Sequence, residues 1–210
     1  MIVTKITAQQ RDTNRVNIFV DNSYALSLTL DQLLSEKLKI GSVLDDADIK
    51  RLEKLSQDGK LRAKALEWVL LRPRSAKELK TYLIKKQADK SLQQSVIVEF
   101  THKAYQDDTV FARWWIENRV RKNKSNIAIR SELMQKGISR SIIDSVMPRP
   151  DSQKDRLRAL VAQKRTMPKY QADSTKFKKY LLGKGFSYSD IDEVLGEAIE
   201  AVDGSFWRIN

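Results

Sequence analysis

The side chains in this chain best suited to chemistry are cations. Between residues 109 and 136 stand Arg113, Arg119, Arg121, Lys122, Lys124, Arg130 and Lys136, against only Glu117 and Glu132. An earlier group holds Arg72, Arg74 and Lys77, followed by Lys80, Lys85 and Lys86. A guanidinium holds carboxylate or phosphate through two parallel hydrogen bonds, whereas a Lys ammonium acts as a point charge. The chemistry in view is recognition of anions rather than bond making. Arg72, Arg74, Arg119, Arg121, Lys122 and Arg130 are the foremost candidates for touching a partner, with Lys77, Arg113, Lys124 and Lys136 beside them. A solvated helix face uses the same residue types, and the sequence leaves that alternative open.

Other reactive groups point away from catalysis. Asp107-Asp108 is an acidic pair, but it precedes a helical segment, whose positive end favours a capping carboxylate. His102 is the only histidine and there is no cysteine, so a metal site is not expected. There is no Gly-rich phosphate loop and no G-x-S-x-G turn. An enzyme is therefore not expected, nor is a cofactor. Trp114 and Trp115 could stack on bases. Adjacent helical positions diverge by about 100°, however, and Phe111 lies four residues before Trp115, so packing between helices is the expected role. Phe206 and Trp207 read as a docking tail.

The elements that carry these cations repeat. Leu79-x3-Leu83-x2-Lys86-Gln87, Ile129-x3-Leu133-x2-Lys136-Gly137 and Phe177-x3-Leu181-x2-Lys184-Gly185 are spaced 50 and 48 residues apart. Such a period marks stacked repeat units. Each phrase reads as the end of an amphipathic helix, with a Lys in its last turn and a left-handed Gly stop. Gln87 breaks the Gly pattern, so the first helix is expected to end differently or run on.

From Leu61 the pattern gives nine helices in three groups of three: about 61–72, 75–87 and 91–105; 108–122, 126–136 and 139–147; 151–165, 173–184 and 188–201. Ser75-Ala-Lys-Glu78 fits a capping box, Ser187 to Asp190 a looser one, and Asp108, Ser139 and Asp151 fit as N-caps. Pro148, Pro150 and Pro168 break the chain. Before the repeats, Arg15–Val20 and Tyr24–Thr29 alternate in polarity around Asp21-Asn22-Ser23 and form a hairpin, and Ile2–Ala8 adds a strand after the polar turn Arg11–Asn14. Two short helices follow near Leu30–Leu38 and Asp45–Gln57, the second capped by Asp45. Gln57-Asp58-Gly59-Lys60 reads as a hinge. The expected fold is mainly α, an elongated array of three three-helix repeats preceded by a small antiparallel sheet and two short helices. The expected divisions are 1–59, 60–107, 108–149 and 150–210.

The 210 residues are 41% hydrophobic and 31% charged, which describes a foldable chain. No apolar run is long enough to span a bilayer and Met1–Ile6 lacks a signal-peptide core, so no membrane partner and a cytoplasmic location are expected. The absence of cysteine suits a reducing compartment. Of 39 basic and 27 acidic residues, residues 1–59 hold 8 and 9, so all of the net +12 comes from the repeats. A basic surface confined to one module suits a polyanion or an acidic protein groove.

Tyr105-Gln-Asp-Asp-Thr-Val-Phe-Ala112, the basic helix Arg113 to Lys124, and Ile129-Arg-Ser-Glu-Leu-Met-Gln-Lys-Gly-Ile-Ser139 together closely resemble the RecX family of bacterial recombination regulators. Ala65-Leu66, Leu70 and Arg72-x-Arg74-Ser75-x-x-Glu78-Leu79 are similar to that family's first-repeat phrase, and Phe177–Val194 to its C-terminal unit. The resemblance covers about 61–201, and residues 1–59 look like an extension found in some members. Gln106 replaces a usual Leu, Gln87 a Gly, and Asn123-Lys124-Ser125 a Gly-containing turn. The resemblance implies a regulator that lies in the groove of the RecA recombinase filament on DNA; a monomer is expected. It implies slowing of that filament's ATPase and strand exchange, destabilisation of the filament, and, in some members, direct binding of DNA. An independent single-stranded DNA- or RNA-binding protein is the alternative.

Overall fold

The structure is a computed structural model. It describes the backbone of residues 1–206 except 11 and 172, and the side chains of those residues except 150 and 199–206. The expected tail at Phe206 and Trp207, and Arg11 of the first turn, lie outside the described side chains.

The chain opens with three antiparallel strands in the order β1 (Val3–Ala8), β2 (Arg15–Val20), β3 (Ser23–Thr29). Asp21 and Asn22 join β2 to β3 with φ of 46° and 68°. Two successive positive φ values are what a tight right-twisted hairpin needs, and Asp and Asn tolerate them. Val16 faces Leu28 and Ile18 faces Leu26 across this pair. These four residues, with Val3, Val20, Leu44 and Leu52, form the first core.

Helix α1 (Leu30–Ser35) starts from Thr29, whose hydroxyl accepts from the Gln32 N–H while the Gln32 side chain returns to the Thr29 N–H. Helix α2 runs unbroken from Asp46 to Leu70, capped by Asp45. The expected hinge at Gln57–Lys60 is therefore helix interior, and the two short segments expected around it are one 25-residue helix. The helix serves two cores: Leu52 packs in the first, and Ala65 and Val69 in a second with Leu79, Leu83, Leu92, Val96 and Phe100. Gly59 is a notch rather than a hinge. A Cβ there would lie 2.7 Å from the Gln32 amide nitrogen, which donates to the Leu55 carbonyl at 2.9 Å.

The remaining helices follow the expected groups closely: α3 (Ala76–Lys85), α4 (Lys90–His102), α5 (Asp108–Arg121), α6 (Asn126–Gln135), α7 (Arg140–Val146), α8 (Pro150–Arg165), α9 (Pro168–Gln171), α10 (Ser174–Gly183) and α11 (Tyr188–Phe206). The fold is mainly helical with a small sheet at its start, as the pattern indicates. Among the described residues the short α9 is the one additional helix. The chain divides into two compact units, Met1–Arg72 with Leu79–Tyr105, and Pro73–Glu78 with Gln106–Asn210. The first contains the two cores just described. The second contains a core around Phe111, Ile116, Ile129, Leu133 and Ile143, and another around Leu157, Leu160, Phe177, Leu181 and Ile191.

All three repeat phrases end in a left-handed residue: Gln87 at φ 61°, Gly137 at 84° and Gly185 at 90°. Gln87 thus ends its helix as the glycines do. The Ala88 N–H reaches the Leu83 carbonyl and the Ile138 N–H that of Leu133, closing the wide turn that satisfies terminal carbonyls.

Two caps differ from expectation. Asp107, not Asp108, caps α5, accepting from the Thr109 and Val110 N–H groups. Asp108 instead accepts from the Ala76 N–H at 2.8 Å and so caps α3. At α8 the cap position is Arg149 with Pro150 at the first turn, which displaces Asp151 into the helix. Proline suits that position because its missing N–H would have no partner there.

Candidate functional site

Within the second unit, successive repeats meet through one recurring joint. The Ser75 hydroxyl accepts from the Glu78 N–H at the start of α3 and donates to the Lys136 carbonyl at the end of α6, at 2.9 Å. Fifty residues on, the Ser125 hydroxyl accepts from the Ala128 N–H and donates to the Gly185 carbonyl after α10. Both serines are fully buried. The glycine turns have a second reason to be glycine besides their φ. A Cβ on Gly137 would stand 2.9 Å from the Lys77 Cβ, and one on Gly185 2.6 Å from the Ala128 Cβ. Gln87 follows α3, the second helix of the first repeat, where no preceding repeat supplies a serine to meet the turn, and its side chain is exposed.

Several candidate cations serve these joints. Lys77 donates to the Gln135 carbonyl at 2.9 Å, and Lys124 to the Gly183 carbonyl at 3.1 Å. Both place positive charge on the negative end of a neighbouring helix. Lys184 returns the contact, donating to the Lys122 carbonyl at 3.1 Å. Arg72 and Arg74 flank the turn into α3, are half-buried and are engaged within the chain. The Arg74 carbonyl accepts from the Gln106 side chain at 3.3 Å, and the same amide donates to Asp108 at 2.7 Å.

Trp115 organises a second set. Its ring carries the Arg119 guanidinium at 4.0 Å and the Lys136 ammonium at 4.9 Å. Its Nε1 donates to Glu132 at 2.9 Å, and Arg119 Nε donates to the same carboxylate. Lys136 pairs with Glu78 at 2.8 Å. Cation–π contacts of this kind contribute about 0.5–2 kcal/mol, more as they lose water. Trp114 and Trp115 both pack against the core at Phe111, with ring centroids 6.0 and 5.7 Å from it. Core packing is thus the observed role of both tryptophans. Arg130 pairs with Asp144 of α7.

Arg113, Arg121 and Lys122 are left exposed at the surface. Among the described residues Arg121 pairs only with Glu117, at 3.6 Å with both side chains exposed, an arrangement worth little to stability. Phase along α5 separates the two classes. At 100° per residue Arg119 lies 200° from Glu117 and 40° from Trp115, so it points to the core side while Arg113 and Arg121 point outward. Glu78 and Glu132, the internal counter-charges, carry no signal in local charge density. Their spacing from Lys136 and Arg119 is visible only in the fold.

Among the described residues no cluster of His, Asp and Glu could hold a metal ion, and no helix is long and apolar enough to cross a membrane.

Comparison with known proteins agrees with this architecture. Residues 1–45 match the model of the regulatory protein RecX N-terminal domain, and residues 107–147 that of the RecX second three-helix domain. A regulatory protein RecX from Bacillus pumilus is 33% identical over 204 residues, covering 94% of this chain and 78% of that protein. One from Clostridium acetobutylicum is 31% identical over 207 residues, covering 93% and 95%. A crystal structure of a regulatory protein RecX superposes with a TM-score of 0.72 at 23% identity, over 93% of this chain and 98% of that one. With that identity and coverage along nearly its whole length, the chain belongs to the RecX family of regulatory proteins.

Proposed function

We propose that this chain regulates recombinational DNA repair and the SOS response by binding the filament that RecA recombinase forms on DNA. Bound there, it slows the filament's ATPase and strand exchange and lowers its stability. The observation that carries this reading is membership of a family of regulatory proteins over nearly the full chain, joined to a net positive charge held entirely by residues 60–210. A filament on DNA presents phosphates and acidic protein surface, so encounter is steered by charge and weakened by salt. The chain acts by binding, as a cytoplasmic monomer, and needs no cofactor. Its working modules are residues 1–107, 108–149 and 150–210, because α2 runs unbroken through the division expected at 59/60, with the contact drawn from Arg72, Arg74, Lys77, Arg113, Arg119, Arg121, Lys122, Lys124, Arg130 and Lys136.

The alternative, independent binding of single strands, drew on Trp114 and Trp115 as stacking platforms. Both pack against Phe111, which leaves charge as its main support. Co-sedimentation separates the two. The chain should pellet with recombinase filaments at salt concentrations where bare single-stranded DNA of the same length no longer retains it. Equal retention by both would favour the independent binder.

A further inference from the structure

Four residues of α5 form one line along its solvent side: Val110, Arg113, Glu117 and Arg121, each three or four positions after the last. At 100° per residue they fall within a sector of roughly 80°. Val110 is 53% exposed, and the Glu117 and Arg121 side chains are 67% and 71% exposed. Arg113 is exposed and has no ion-pair partner among the described residues. The order of charge along the line is positive, negative, positive, at intervals of roughly 6 Å along the axis. The opposite side of the helix is closed by Phe111, Ala112 and Ile116, with Arg119 held against Trp115 and Glu132.

We propose that this line reads a protein surface bearing carboxylate, cation and carboxylate in matching order, and that Glu117 distinguishes such a surface from a run of phosphates. The proposal rests on the filament reading above and assigns the contact to the protein component of the filament. A nucleic-acid backbone is negative throughout, so a carboxylate between two guanidinium groups opposes it at every register. On a mixed protein surface the same carboxylate adds an attraction and penalises misaligned or uniformly negative partners, which is how complementary charge produces specificity. Val110 extends the line with an apolar contact that phosphates do not reward. The exposed Glu117–Arg121 pair at 3.6 Å costs little to open. Arg119, held against Trp115 and Glu132, fixes α5 against α6 and is not part of the line.

The test measures affinity of the full-length chain, carrying one dye on a single cysteine appended after Asn210, for RecA filaments on single-stranded DNA, and for the bare DNA, by fluorescence anisotropy at two salt concentrations. Arg113→Glu with Arg121→Glu should weaken filament binding by roughly tenfold or more, since each exchange turns an attraction into a repulsion. Circular dichroism should show this double variant folded, because neither arginine contributes to a core. Glu117→Gln should weaken filament binding several-fold while tightening or sparing bare DNA. Glu117→Gln that tightens both alike would overturn the proposal in favour of phosphates. Wild-type filament binding that survives the double arginine reversal would overturn it and leave the filament reading standing. A wild-type chain that ignores the filament removes both.

Discussion

The Arg119 guanidinium lies 4.0 Å above the ring of Trp115, four residues earlier on the same helix, and both donate to Glu132 of α6. One carboxylate thus fixes the phase of α5 against α6. A cation that reads as surface charge in the sequence is part of the packing.

Removing it should cost stability rather than charge alone. Arg119→Ala is expected to lower the free energy of unfolding by about 1–3 kcal/mol, because Glu132 loses a charged donor and Trp115 its covering group. Arg121→Ala, whose only ion pair is exposed, should stay within about 0.5 kcal/mol of wild type. Urea unfolding of the two variants checks the contrast.

The repeat joint gives a second expectation. Ser125→Ala removes a fully buried hydroxyl that caps α6 and leaves the Gly185 carbonyl without its side-chain donor. The loss should be about 1–3 kcal/mol, beyond an ordinary cap deletion. Ser139→Ala removes an exposed cap with no such second duty and should cost about 1 kcal/mol or less.

The three helix stops separate backbone conformation from crowding. Gly185→Ala meets both a φ of 90° and a Cβ collision at 2.6 Å, and should destabilise by about 2 kcal/mol or more. Gln87→Gly relieves a left-handed φ of 61° at an exposed position and should stabilise by up to about 1 kcal/mol. Thermal unfolding of both variants should shift in opposite directions.

Asp58 supplies a pH test. Burial, the largest influence, raises its carboxyl above the ordinary value. Asp89 raises it further, against the opposing pull of Lys54 and Arg62. A raised folded-state value favours the folded chain when the carboxyl is protonated, and that advantage is lost as pH rises through it. Asp58→Asn should therefore raise the melting temperature at neutral pH, and the difference should shrink on acidification through the carboxylate range. Asp89, lowered mainly by its bond from the Leu92 N–H, behaves in the opposite sense, so Asp89→Asn should destabilise at neutral pH.

Much of the fold was legible in the sequence because it rests on local rules. The strands alternate, the helices carry their caps at Asp45, Ser75 and Ser139, and the three phrases share one stop. The misreadings arose where tertiary contacts decide. Gly59 looks like a hinge in isolation, and only the Gln32 side chain beside it makes it a packing notch. Asp108 looks like the cap of its own helix, and only the approach of Ala76 shows that it caps another. For the cations, local density merged Arg119 with Arg121, whereas helical phase already places them on different sides of α5. Glu78 and Glu132 become visible as counter-charges only once α6 is packed against α5 and against the start of α3.

The most direct test of the central claim is the rate of ATP hydrolysis by RecA recombinase on single-stranded DNA as this chain is added. Regulation through the filament predicts a rate that falls progressively as the chain approaches stoichiometry with recombinase, with the inhibition weakening as salt is raised. An unchanged rate at equimolar chain, under low-salt conditions where the chain is folded and monomeric, would contradict it.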